Sequence, residues 1–197
     1  MKSIRHVAIL FSIMITPFSD GVAEQKNLNL SNTSVVVAFS PDDGVTQMIL
    51  DEIDQAQSSI YIAAYSFTSI PIAVKLSEAH NRGVSVKVVL DGSQRTALGS
   101  IAKFLKRSGV QVRFNLHYKI QHNKYMIFDE KHVECGSFNY TKSAEKNNAE
   151  NAIILKDQPE LASIYEANFK KLWLESLRPK KMRKFRKHTV KLKMVNQ

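Results

Sequence analysis

Between residues 34 and 115, short runs of β-branched and apolar residues alternate with longer stretches of helical spacing. The runs are 34–39, 58–65, 84–90 and 110–115. Between them lie 44–57, with Val45, Met48, Ile49 and Ile53 spaced for one helix face, then 70–81, with Ile72, Val74, Leu76 and Ala79, and then 96–107. Asn81-Arg82-Gly83 and Ser108-Gly109 are helix stops. This switching between a period of about 2 and one of about 3.6 residues constrains the fold more than any other feature. Connections that each hold a helix suit crossover units between parallel strands. The pattern predicts an α/β fold: a mixed, largely parallel β-sheet flanked by helices on both faces.

The second half adds a different signal. Residues 124–128 and 131–135 flank Asp129-Glu130, which reads as a hairpin. Residues 149–155 read as one more strand. A long final helix is expected over 159–177, with Pro159 at its first position and Pro179 past its end.

The ends differ from this body. Lys2 and Arg5 precede an apolar run at 7–15, followed by Pro17 and the small residues Gly21-Val22-Ala23. A membrane-spanning helix needs roughly 20 apolar residues, so the run reads as a signal peptide over 1–23, cleaved after Ala23. Export to the periplasm or the exterior is the expectation. Cys135 is the single cysteine, so no internal disulfide can form, and its apolar strand context marks it as a small buried hydrophobe. The chain carries a net charge of +10. The domain at 24–177 is electrically balanced, whereas the tail at 178–197 holds nine Lys or Arg and no acid. The basicity is therefore assigned to the tail, a handle for nucleic acid or an anionic membrane surface. The alternation at 188–195 allows an edge strand there.

Chemistry concentrates around HNKYMIFD, residues 122–129. His122 and Lys124 are two apart, so a strand puts them on one face. Asp129 is seven residues from His122, and parity sends it to the other face or into the turn, in a structural role. Ser137 and Asn139 are again two apart, just after Gly136. Imidazole, ammonium, hydroxyl and amide together make a set of donors that suits a phosphate group. Each residue taken singly has a plainer reading as a surface or core side chain. No CxxC or HExxH spacing is present, and no metal or cofactor is expected.

The spacing His122-x-Lys124-x4-Asp129-x6-Gly136-Ser137-x-Asn139 resembles the HKD signature of the phospholipase D superfamily. Residues 61–94 and 146–155 are similar to its small, single-motif bacterial nucleases. The resemblance covers most of 34–176. It implies a phospholipase D-like fold and hydrolysis of a phosphodiester through a covalent phosphohistidine. On it, His122 is the nucleophile, and Lys124 and Asn139 hold the non-bridging oxygens. Ser137 supports that network, and Glu150 bonds His122 and fixes its tautomer. Asp129 and Gly136 belong to the motif as structural residues. A single motif supplies one histidine where nucleophile and general acid are both needed, so a homodimer with a shared site is expected. His117, close upstream, reads first as a surface residue and second as a candidate for the site entrance.

Three functions compete. The first is an exported, non-specific endonuclease, acting on DNA before other nucleic acids. The second is the same chemistry on a lipid headgroup. The third is a catalytically inactive nucleic-acid-binding module.

Overall fold

The computed structural model describes residues 28, 33–41 and 43–176. Among these residues seven strands form one sheet: β1 (Ser34–Ser40), β2 (Ser59–Ala64), β3 (Ser85–Asp91), β4 (Gln111–Asn115), β5 (Lys124–Phe128), β6 (His132–Gly136) and β7 (Glu150–Lys156). Their order is β1-β7-β6-β5-β2-β3-β4. The α/β class and the mixed sheet are as expected. The largely parallel pairing is not. Only β2–β3 and β3–β4 are parallel, while β1–β7, β7–β6, β6–β5 and β5–β2 are antiparallel. Alternation fixes how far the chain travels between strands and leaves open which strands become neighbours. Here β1 goes to the far edge, and the hairpin strand β5 pairs beside β2.

The hairpin turn falls on Asp129 and Glu130, both at positive φ (52° and 58°). That backbone suits the right-handed twist of paired strands. Among the described residues five α-helices accompany the sheet: α1 (Val45–Gln55), α2 (Ile70–Asn81), α3 (Ala102–Arg107), α4 (Lys142–Lys146) and α5 (Pro159–Glu175). Ile49, Ile53, Ile72, Leu76, Leu105 and Ala144 close one face of the sheet, and Ala162, Phe169 and Leu172 of α5 close the other. Each fully buried Ile or Leu contributes about 1.5–3 kcal/mol, so the two-sided cover is the main source of stability.

Two local expectations change. Of the helix expected over 96–107 only the short α3 forms, after an irregular segment that follows a 3-10 turn at Gly92–Arg95. Gly99 adopts φ 75° there, and Leu98 is 98% exposed, so 96–100 presents no buried helix face and the core is rejoined only at Ile101. Helix α4 carries too little apolar pattern to be read from sequence. Thr141 caps it, its Oγ accepting from the Ala144 N–H at 3.0 Å. Cys135 is a half-buried free thiol, pushed up in pKa by burial.

The two ends of the sheet differ. Strands β1, β2, β3, β4 and β6 finish, and β5 and β7 begin, at the same edge. Loops from all seven strands therefore meet at one pole, which holds His122 and Ser137. The leader at 1–23, the tail at 178–197 and the expected strand at 188–195 lie outside the described residues. Among the described residues no helix is long and apolar enough to cross a membrane.

Candidate active site

His122 lies two residues before β5 begins, and its side chain is exposed. Neither end of this residue is loose. The buried Gln121 before it donates from its N–H to Asp91 Oδ2 (2.8 Å) and from Nε2 to the Val89 carbonyl (3.3 Å). Asn123 after it donates its N–H to Gln121 Oε1 (2.7 Å), and its carbonyl accepts from the Tyr65 N–H (2.9 Å). The backbone at His122 is thus tied to the ends of β2 and β3. The Tyr65 ring tilts against the imidazole at 4.7 Å between centroids.

Lys124 completes this first group. Its Nζ donates to the His122 carbonyl at 2.9 Å and lies 3.3 and 3.4 Å from Nδ1 and Nε2 of the same residue. The ammonium is almost equidistant from both ring nitrogens, so a positive charge stands beside the imidazole. Burial holds the Lys124 pKa below its ordinary value, against the opposing attraction of Glu150.

A second group sits at the start of β7. Ser137 Oγ donates to Glu150 Oε2 at 2.5 Å, and Asn148 Nδ2 donates to Oε1 at 3.0 Å. Ser137 Oγ also accepts from the Asn151 N–H (3.1 Å), and the Ser137 N–H donates to Asn151 Oδ1 (2.9 Å). The expected bond between Glu150 and His122 is absent. Glu150 spends its oxygens on Ser137 and Asn148, because β7 is separated from β5 by β6, and its link to the His–Lys pair is the charge felt at Lys124. Gly136 has a plain reason to be glycine: a Cβ would collide with the Asn151 carbonyl oxygen and sit 2.9 Å from Ala152 Cα.

Asn139 belongs to the loop between these groups. Its Oδ1 is buried with no hydrogen-bond partner among the described residues. The loop is fixed through Tyr140, whose carbonyl accepts from the N–H groups of Thr68 and Ser69 (2.9 Å each) and whose hydroxyl donates to the buried Glu134 Oε2 (2.7 Å).

Asp129 is at the opposite pole. Its carboxylate accepts from the N–H groups of Gln57, Ser58 and Ser59 at 2.7–3.2 Å and from the Ser58 hydroxyl at 2.9 Å. Burial alone would raise its pKa, and the N–H groups of Ser59, Gln57 and Ser58 overrule it and hold the acid below its usual range. It pins the start of β2. His117 lies beside Tyr118, 3.8 Å from Glu175 of α5. Among the described residues no three His, Cys, Asp or Glu side chains are grouped as metal ligands.

The family described as cardiolipin synthase, PLD-like domain, matches residues 49–173. The chain belongs to the phospholipase D superfamily. Among its relatives is the phospholipase D of Rickettsia bellii, 41% identical over 71% of this chain and 69% of that protein. A mitochondrial cardiolipin hydrolase of Danio rerio is 31% identical over 64% of this chain and 55% of that protein. Of solved structures, Nuc from Salmonella typhimurium, a phospholipase D family member, superposes with a TM-score of 0.70 at 39% identity, over 73% of this chain and 95% of that one. NucT from Helicobacter pylori gives 0.67 at 26% identity, over 73% and 97%. The chain is a hydrolase of the phosphodiesterase kind within this superfamily.

Sequence reasoning missed Tyr65, Asp91 and Gln121, which hold His122 in place. A faint signal was present: Asp91 closes an otherwise apolar strand, and Gln121 precedes the motif directly.

Proposed function

We propose that this chain is an exported, non-specific endonuclease that hydrolyses nucleic-acid phosphodiesters through a covalent phosphohistidine at His122, without a metal. The observation that carries the reading is the placement of Lys124 Nζ at 2.9–3.4 Å from the backbone and ring of His122. A neutral ring nitrogen attacks phosphorus, a nitrogen–phosphorus bond forms, and the bond to the leaving oxygen breaks. Lys124 and the Asn139 amide stabilise the charge that builds on the non-bridging oxygens. The leaving oxygen takes a proton from a general acid, and water then displaces the phosphoryl group from His122. Within one chain no second motif histidine supplies that proton. His122 of the partner subunit in a two-fold homodimer would do so. Ser137 and Glu150 hold the neighbouring loop and complement the Lys124 charge.

The likeness to Nuc and NucT, over nearly their whole length, supports the nuclease reading. The leader supports export, and the basic tail supports polyanion capture in a salt-sensitive manner. The second reading, a lipid phosphodiesterase, is favoured by the relatives named phospholipase D and mitochondrial cardiolipin hydrolase. Supercoiled plasmid and vesicles of phosphatidylcholine with cardiolipin, assayed side by side, separate the two. Cleavage of plasmid with intact lipid is expected. Lipid hydrolysis with intact plasmid overturns the first reading. An active monomer by light scattering removes the shared site.

A further inference from the structure

The balanced charge of the body conceals a polarised distribution. From residue 92 to residue 128 there is no Asp or Glu, while Arg95, Lys103, Lys106, Arg107, Arg113, Lys119 and Lys124 all fall there. The fold gathers four of these cations around one hollow. An open groove of about 510 Å3 is lined by Arg95, Lys103, Lys106 and Arg107, together with Gln94 and Phe114, and by no acid. Lys106 Nζ lies 4.6 Å from the Phe114 ring. None of the four forms an ion pair among the described residues. All four are exposed.

This arrangement opposes helix stability. The six residues of α3 include Lys103, Lys106 and Arg107, at spacings of three and four, where like charges repel. A polyanion in the groove would turn that repulsion into attraction. The groove is also joined to the catalytic pole. Gln94 Oε1 accepts from the Phe67 N–H at 3.2 Å, and the Ile101 N–H donates to the Phe67 carbonyl at 3.2 Å. Phe67 is two residues past Tyr65, which packs on His122. The groove wall and the catalytic histidine thus share one short loop.

We propose that this groove is a second phosphate-binding subsite, which holds the backbone of a nucleic-acid strand while another of its phosphodiesters is at His122. The proposal rests on the nuclease reading for what lies at His122. The groove itself makes a separate claim about binding. A strand carries phosphates at regular intervals, and unpaired cations along a concave wall match several of them at once without reading sequence.

The test uses the full chain carrying Lys103→Ala, Lys106→Ala and Arg107→Ala together. Alanine favours the helix, and the three changes remove exposed charge together with the Lys106 contact on Phe114. In a His122→Ala background, anisotropy of a labelled single-stranded oligonucleotide is followed against salt, beside sedimentation with anionic vesicles. The expected result is about a tenfold or greater loss of oligonucleotide affinity, and a salt slope shallower by roughly 2, near 0.7 for each lost contact. With His122 present, the ratio of kcat/KM on the oligonucleotide to that on a small phosphodiester falls by a similar factor. Unchanged oligonucleotide affinity and slope overturn the proposal. So does a loss confined to vesicles, which makes the groove a membrane contact. If the groove variant loses affinity and yet the unaltered protein cleaves only the small diester, the subsite stands and the nuclease reading falls.

Discussion

The two poles of the sheet hold the same kinds of side chain in opposite states. At one pole are His122, Lys124 and Glu150. At the other are His132, Lys156 and Glu52. In the second cluster His132 Nδ1 meets Glu52 Oε1, His132 Nε2 lies 3.4 Å from Asp157 Oδ1, and Lys156 Nζ lies 2.7 Å from Glu52 Oε2. Both ring nitrogens face carboxylates, and the lysine is neutralised. Glu52 is only 2% exposed, so the cluster ties α1 to β6 and β7. At the first pole no carboxylate of the described residues touches the histidine. The lysine stands beside the ring, and the glutamate is held away by Ser137 and Asn148. A saturated cluster holds structure together. An unsaturated one, fixed from behind by Gln121 and Asp91, is left able to bind and react.

The comparison breaks if substitutions at the two poles have similar consequences. The largest effect belongs to Lys124→Ala. Loss of a donor to the transition-state oxygens lowers kcat about 1,000-fold, or about 4 kcal/mol, with thermal stability held near the parent value. Steady-state kinetics and a melting curve on the same sample check both halves. Next comes Glu52→Ala. It strands Lys156 and His132 and costs about 3 kcal/mol of stability by chemical denaturation, with kcat of the folded protein retained.

Asp129→Ala removes a carboxylate that several backbone N–H groups share and costs about 2 kcal/mol, again without changing kcat. Its pH signature sharpens the point. A carboxyl whose folded pKa lies below its unfolded value stabilises the fold above the unfolded pKa. That stability disappears as the pH falls through the folded value. The parent should therefore lose more stability on acidification below about pH 4 than Asp129→Ala does. A parallel loss in both proteins would deny Asp129 its role as a pin.

The smallest effect is at Glu134, between the poles. Burial pushes this acid up to about 8 from its ordinary 4.5, against the opposing bond from Tyr140. Between those values the folded state keeps a proton that the unfolded state releases. Its contribution therefore falls as the pH rises through that window and is level above it. Glu134→Gln, which stays neutral, should flatten this part of the melting-temperature profile. An unchanged slope would show that Glu134 is already ionised at neutral pH.

Much of this was legible in the residues, for reasons that differ from place to place. Strand and helix positions followed from hydrophobic period, and Ile70–Asn81 and Lys124–Phe128 were found at their bounds. The order of the strands was not legible, because period carries no information on partners. His122 precedes β5, so its place beside Lys124 comes from the bond of Lys124 Nζ to its carbonyl rather than from strand parity, and Asp129 is parted from both by lying in the turn at the other end of β5. Parity could not reach Glu150, whose oxygens turn to Ser137 through contacts between β6 and β7. The charge reading assigned all basicity to the tail because it summed over the body. A window over 92–128 would have exposed the acid-free stretch.

The central claim is that the unsaturated pole, through His122, performs the chemistry. Plasmid cleavage in excess chelator tests it most directly, with the unaltered protein, His122→Ala and His132→Ala side by side. The account predicts cleavage by the unaltered protein and by folded His132→Ala, and none by His122→Ala. Cleavage by His122→Ala at the parent rate, or none by the unaltered protein, would contradict it.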